Sequence, residues 1–296
     1  MHTGDDMGFR TGDVVSVACA FADARVRRLE WDSLSLEWPW WQVDSESEFF
    51  HWNGVVALGA DARTRVWDEM EIFRTDPALE RLEPGAMCRV GVPPTVVHVT
   101  EVDHFDPPLE TGWLPRPRLA VSVLPRGLSW REVPDGSHLN GTGHQLHPDN
   151  GIPFTFDLLF RPYAFLRPGD EVADAAGRAW RFDGPWDWYA FDGDGDGDGD
   201  GDGDGDGDGD GDGDGDGDGD GDGDFGGDFD GDAEAAAAPE WPLTLLTRAG
   251  TPSAPEDAVA VAGSTATGSH QETLAHWIGL TDAAPTRPGA VVPRRR

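Results

Sequence analysis

From Asp192 to Asp224 aspartate fills every even position and glycine every odd one, so 33 consecutive residues carry 17 carboxylates and no apolar side chain. Such a stretch has nothing to put into a core. Glycine loses more backbone freedom on ordering than any other residue. Neighbouring carboxylates repel, and nothing offsets an ordering cost of roughly 1–2 kcal/mol per residue. Residues 192–239 are therefore expected to form a disordered acidic loop, with ends about 30 Å apart if the run behaves as a glycine-rich coil.

The constraint on the fold lies in what the chain does after this run. Glu240-Trp-Pro-Leu-Thr-Leu-Leu-Thr247 alternates apolar and polar residues, with Trp241, Leu243 and Leu245 on one face. Beyond it, residues 249–296 offer a turn of helix near Pro255–Ala262 and one better helix over about 270–281, where Ser269 and Glu272 have the spacing of a capping box. One strand and twelve helical residues cannot bury a core of their own. The strand must therefore pair with a sheet made upstream. The implied organisation is a single β-rich domain of residues 1–191 plus 240–248, interrupted by the loop at 192–239. A C-terminal extension, 249–296, adds the short helix and a disordered tail. Lengthening a loop from about 5 to about 40 residues costs only about 2 kcal/mol.

The upstream chain reads as short strands. Residues 14–20, Ser33–Trp41, Val55–Leu58, Val66–Phe73, Ala86–Val92, Thr95–Val102, Leu119–Leu124, Pro153–Phe160, Glu171–Asp174, Arg178–Phe182 and Trp186–Phe191 are apolar or alternating, and Gly, Pro and Asp separate them. Leu34, Leu36 and Trp38 share one face. Related turns, Arg10-Thr-Gly-Asp13, Leu82-Glu-Pro-Gly85 and Leu166-Arg-Pro-Gly-Asp170, each open a strand. Arg126–Asn150 has no period and reads as a loop. The fold class expected is mainly β, an antiparallel sandwich or barrel-like domain with a long acidic Gly-Asp loop and a short C-terminal helix.

Charge excludes some functions. The formal charge is −34, all 22 basic residues are Arg, and 21 of the 56 acids fall within 192–234. Setting those aside leaves 35 acids against 22 Arg, or −13, so the remainder is acidic in its own right. Neither nucleic acid nor an anionic membrane is an expected partner, and no apolar stretch approaches the 18 residues of a membrane span. The Arg-for-Lys usage, with abundant Ala, Gly and Pro, suggests a high-GC bacterial genome. The first residues show neither a basic nor an apolar signal region. Cys19 and Cys88 each lie in an apolar run, as expected of buried reduced thiols in a cytoplasmic protein.

Chemistry-bearing motifs are sparse. Aspartate at alternate positions invites comparison with calcium loops, but a 12-residue EF-hand loop begun within the alternation ends on Gly instead of the bidentate Glu. Weak, non-specific cation association with the acidic run is the expected behaviour. His98, Glu101, Asp103, His104 and Asp106 cluster along one strand and its end, with His98 and His104 on the same face if the strand is regular. The loop adds His138, His144 and His147. His98, His104, His144 and His147 are thus the candidate metal ligands, although His144-x-x-His147 lacks the Glu of a helical HExxH site. Replacing the two loop histidines is expected to leave stability nearly unchanged. No nucleophile elbow, P-loop or dinucleotide fingerprint appears.

Thirteen Trp residues remain, with Trp38, Trp40 and Trp41 grouped around Pro39. Consecutive Trp40 and Trp41 on a strand would face opposite ways, leaving at least one exposed or at a rim, and Trp38, Trp40 and Trp41 are the candidate ligand-binding residues. Three readings follow. The leading one is a non-enzymatic module, without a cofactor, that binds a small ligand or a protein partner. The second is a metal-dependent enzyme using the four histidines, and the third makes the acidic run a binder of divalent cations or a basic partner.

The loop reading predicts opposite outcomes for two deletions. Removing Gly193–Gly223 will leave a cooperatively folding protein of at least wild-type melting temperature. Truncation after Phe191 will abolish the cooperative transition, because burial of Trp241, Leu243 and Leu245 is worth about 1.5–3 kcal/mol each. A sharp wild-type-like melt for residues 1–191 would refute it.

Overall fold

A computed structural model describes residues 8–48, 50–61, 63–128, 143–185, 187–191 and 238–281. The expected disorder of the Asp-Gly run and of the C-terminal tail, and the candidate His138, lie outside the described residues. The chain forms strands β1 (Val14–Leu29), β2 (Ser33–Glu37), β3 (Gln42–Val43), β4 (Val55–Asp61), β5 (Val66–Trp67), β6 (Arg74–Asp76), β7 (Met87–His104) and β8 (Trp113–Leu114). These are followed by β9 (Leu119–Pro125), β10 (His144–Leu146), β11 (Phe154–Phe160), β12 (Asp170–Ala173), β13 (Ala179–Gly184), β14 (Asp187–Ala190), β15 (Thr244–Arg248) and β16 (Thr251–Pro252). Helices α1 (Pro255–Ser264) and α2 (His270–Thr281) close the described chain. The protein is mainly β, its sheets are antiparallel, and among the described residues no helix is long and apolar enough to cross a membrane.

The larger sheet has nine strands in the path β10-β9-β7-β1-β2-β4-β5, with β11 also on β1 and β6 also on β7. Its curvature comes from two long bent strands. Where the sequence suggests a strand ending near Ala20 and a break at Pro93-Pro94, β1 and β7 run on through both points. Their ladder slips between Val17 and Cys19 and again before Ala22. The prolines sit within that irregular stretch, where absent N–H groups disturb the ladder least. Because β1 bends, its first half pairs with β11 and its end with β2. Val15, Val17, Val26, Leu34, Leu36, Leu58, Val90, Val97, Val121 and Leu146 consequently meet in one cluster. Cys19 and Cys88 are buried free thiols at its edge, and burial raises the Cys19 pKa to about 11.

The smaller sheet runs β14-β13-β12-β15-β16. β15 pairs with β12 through Glu171↔Thr247, Val172↔Leu245 and Ala173↔Thr244, so the chain beyond the acidic run returns to a sheet built before it. Leu243 and Leu245 are buried with Val172, Trp180, Phe182, Tyr163 and Leu166. Here α1 is a complete ten-residue helix where the sequence suggested only a turn. Its Val261 is buried in this cluster, and Thr265 Oγ1 after it accepts the Leu243 N–H at 2.8 Å. At α2, the Ser269 hydroxyl accepts the Glu272 N–H, as the capping spacing required. α2 then links the two clusters. Trp277 donates its indole N–H to Gly12 O at 2.9 Å and stands edge-on to His98, while His276 abuts Phe160.

Two of the strand-opening turns share one design. In Arg10–Asp13 and Arg167–Asp170 the Asp carboxylate accepts the N–H of the Arg three residues earlier, at 2.9 Å in each. Each Asp is then held by a distant guanidinium, Asp13 by Arg161 and Asp170 by Arg248. Asp174 ends β12 in a similar way. It accepts N–H groups from Ala176 and Arg178, the Arg178 side chain and the Trp180 indole at 2.8–3.0 Å. Burial alone would raise its pKa, but these donors outweigh it and hold the carboxyl at about 2. Its neighbour Ala175 donates to Glu240 O, where the chain re-enters after the acidic run.

Asp174→Ala removes the acceptor of an indole N–H and two turn N–H groups and leaves Arg178 its contact with Glu240. Urea denaturation of the full chain will show a loss of about 2–4 kcal/mol from the unpaired buried donors, and a smaller loss for Asp174→Asn, which keeps one carbonyl acceptor. A loss below about 1 kcal/mol for the alanine variant would contradict this account.

Candidate functional site

The Trp38–Trp41 segment is not a strand. Pro39 ends the ladder after Glu37, and the chain turns so that Trp38 is buried while Trp40 and Trp41 are half-buried against the main cluster. Trp38 is edge-on to Trp40, with centroids 4.9 Å apart, and 5.6 Å from Trp41. The short ladder between β3 and β8, Gln42↔Leu114 and Val43↔Trp113, then sets Trp41 beside Trp113. Their rings stack 4.4 Å apart at 5°. Trp52 meets both edge-on and satisfies its own N–H on Val55 O at 2.8 Å. Behind the stack, Arg116 grips Asp44 through Nε and Nη2 at 2.9 and 2.7 Å. This guanidinium holds the Asp44 carboxyl below its ordinary pKa.

The opposite wall comes from β10, in the stretch the sequence marks as a loop. That expectation is corrected for His144 and His147, the two of its three histidines that the structure describes. His144 begins an edge strand, His144↔Val123 and Leu146↔Val121, and His147 is buried at 9 % exposure. The strand can lie this close to β9 because Gly143 has φ +105° and an added Cβ would collide with the Val123 carbonyl. His147 follows it, with Nδ1 3.3 Å from Leu119 O. A carbonyl only accepts, so Nδ1 carries the proton and the neutral ring leaves Nε2 as an acceptor. Burial lowers the His147 pKa from its ordinary 6.5, outweighing the Leu119 hydrogen bond.

Between these walls lies a cavity of about 190 Å³, lined by Trp38, Trp41, Phe73 and Trp113 on one side and His144, His147 and Asn150 on the other. The indole N–H groups of Trp38, Trp41 and Trp113 and the Asn150 amide nitrogen are buried with no hydrogen-bond partner among the described residues. Asn150 is fully buried, and its Oδ1 accepts the Ile152 N–H, which fixes the nitrogen as the unpaired end. The sequence pointed to Trp38, Trp40 and Trp41, of which Trp38 and Trp41 line the cavity, but not to Trp113, Phe73 or Asn150, which reach it only through tertiary pairing. Trp40 packs beside it.

The four histidines do not converge. His144 and His147 share the cavity wall. His98 is buried at 3 % exposure on the other side of β7, against α2. The expected shared face of His98 and His104 fails, because the ladder to β9 slips between Val99 and Glu101 and a one-residue slip reverses every later side chain. His104 is exposed and lines a cleft of about 240 Å³ with Phe9, Arg10 and Phe182. Among the described residues no three His, Cys, Asp or Glu side chains group to hold a metal ion.

No protein-family model matches this chain, and no curated protein or solved structure is significantly similar to it. The cavity therefore has to be read from its own chemistry.

His147 is neutral in the fold and its folded pKa lies below 6.5, so the unfolded chain binds the extra proton and acidification below that value favours unfolding. The melting temperature will fall between pH 7 and pH 5, and His147→Gln will flatten that fall. An unchanged slope in the variant would show that His147 does not stay neutral. The same variant will lose stability at pH 7, against the expectation for a solvated loop residue.

Proposed function

We propose that this chain is a non-enzymatic, cytoplasmic binding module that holds a small single-ring ligand in the cavity between the tryptophan stack and β10. The observation that carries the reading is that four residues lining one aromatic cavity each carry a buried N–H donor with no partner among the described residues. Buried polar groups are almost always paired, and a group left without a partner costs about 1–3 kcal/mol. A ligand supplying acceptors relieves that cost. Size supports one ring: drug-sized ligands occupy roughly 300–1,000 Å³, whereas an apolar cavity of about 150 Å³ takes benzene, and this one measures about 190 Å³.

The absence of acids, hydroxyls and thiols from the residues lining the cavity supports a binding role over a catalytic one. The metal-enzyme reading has less support, since only His144 and His147 share a wall. Two free thiols support a reducing compartment, and the acidity of the chain supports a ligand or protein partner over nucleic acid.

Ligand-observed ¹⁹F NMR tests the reading with three single-ring probes, fluorobenzene, 4-fluorobenzoate and 5-fluorouracil, added to the full chain. At least one will broaden on addition of protein, and Val56→Phe, which grows into the cavity, will weaken it about tenfold or more. If none binds, or if binding is indifferent to the substitution, the cavity is not a ligand site.

A further inference from the structure

The hydrogen-bonding capacity of the cavity is lopsided, and the imbalance limits what can occupy it. Trp38, Trp41 and Trp113 offer indole N–H groups, which only donate, and Asn150 offers its amide nitrogen. Against these four buried donors His147 retains Nε2 as an acceptor, its Nδ1 being committed to Leu119 O, while the other accepting side chains of the lining, His144 and Gln145, are half-buried and exposed. The occupant must therefore accept more hydrogen bonds than it donates. A flat occupant suits a wall made of the Trp38, Trp41, Phe73 and Trp113 rings.

Charge decides between the two acceptor-rich classes. No Arg lines the cavity and the chain contains no Lys. An aromatic carboxylate would enter a half-open aromatic pocket that offers it no Arg or Lys, in a protein of formal charge −34. Removing an ion from water without a counter-charge costs several kcal/mol, whereas a neutral carbonyl loses far less and recovers it from an N–H donor. Two further unpaired indoles, Trp188 and Trp241, belong to the other cluster and share no cavity with these four donors.

We propose that the ligand is a neutral, planar, single-ring heterocycle whose carbonyl acceptors outnumber its N–H donors, an imide or lactam of the pyrimidinedione kind. Its carbonyl oxygens take the indole and Asn150 N–H groups, its ring N–H meets His147 Nε2, and its faces pack on the aromatic walls. This rests on the binding-module reading, and the three ¹⁹F probes separate the two.

At pH 6.5, 5-fluorouracil will bind at least about tenfold more tightly than 4-fluorobenzoate, and also more tightly than fluorobenzene. Trp113→Phe and Asn150→Leu each delete a donor and keep apolar bulk. Each will lower the affinity ratio of 5-fluorouracil to fluorobenzene about tenfold. If 4-fluorobenzoate binds best, the site takes anions and the inference falls while the cavity remains a ligand site. If fluorobenzene binds best, water satisfies the donors and the inference falls in the same way. If no probe binds, the cavity is a hydrated void only and both readings fall. The wild-type ranking decides even if a variant fails to fold.

Discussion

Buried aspartates gripped by arginine are the interaction on which this architecture depends. Asp13 and Asp170 are 1 % and 0 % exposed and stand where β1 and β12 begin. Each closes its own turn through backbone N–H groups and then reaches across the fold to a guanidinium, Arg161 on one side and Arg248 on the other. Asp174 closes the turn where β12 ends, with its guanidinium supplied locally by Arg178, whose head stays partly in solvent. Arginine suits this task because its planar fork meets both carboxylate oxygens and is weakly hydrated. A chain whose cations are all Arg can thus bury several carboxylates that lysine would hold less well. These pairs do not make the fold stable by their net energy, which burial largely cancels. They make the alternatives worse, because any register that separates a pair leaves a charge alone in the interior.

That logic also explains how a long acidic insertion is tolerated. The run leaves the smaller sheet after β14 and rejoins it at β15, and both strands lie in a sheet anchored by Asp170 and Asp174. Glu240, at the re-entry point, is tied to Ala175 and Arg178. The insertion therefore starts and finishes at positions fixed independently of its length, and only loop-closure entropy grows with it. The larger sheet is insulated from this traffic. It touches the smaller one chiefly through α2 and the Arg10–Leu166 contact, where Arg10 donates to Leu166 O at 2.7 Å.

Period-two alternation made most strands legible, because Leu34 and Leu36 or Leu243 and Leu245 can share a core only in an extended chain. The return of the chain to an upstream sheet followed from counting what little lies after Glu240. Three things were hidden for physical reasons. Bulges carry no side-chain signature, so the slip after Val99 that separates His98 from His104 could not be anticipated. β10 is three residues long and polar, below the length at which a period can be seen. Whether a Trp fills a core or lines a cavity depends on its indole N–H, whose partner is set by tertiary contacts. Trp52, Trp180 and Trp277 find acceptors in Val55, Asp174 and Gly12, while Trp38, Trp41 and Trp113, with similar local surroundings, do not.

The energetic cost of that difference bears on why the cavity exists. A core built only for stability would put Phe or Leu at these three positions, filling space with no polar atom to satisfy. Four unpaired donors at about 1–3 kcal/mol each amount to a large fraction of a typical stability of roughly 5–15 kcal/mol. Water can meet part of that demand, since the cavity is polar enough and large enough to hold it. Water would not, however, account for the aromatic wall that Trp38, Trp41, Phe73 and Trp113 form. Nor would it account for the support behind the stack, where Asp44 and Arg116 fix the short β3–β8 ladder. On the binding-module proposal, donors left unpaired in a site whose walls are braced from outside fit a preorganised cavity, in which a ligand's acceptors would recover the stability those donors forgo.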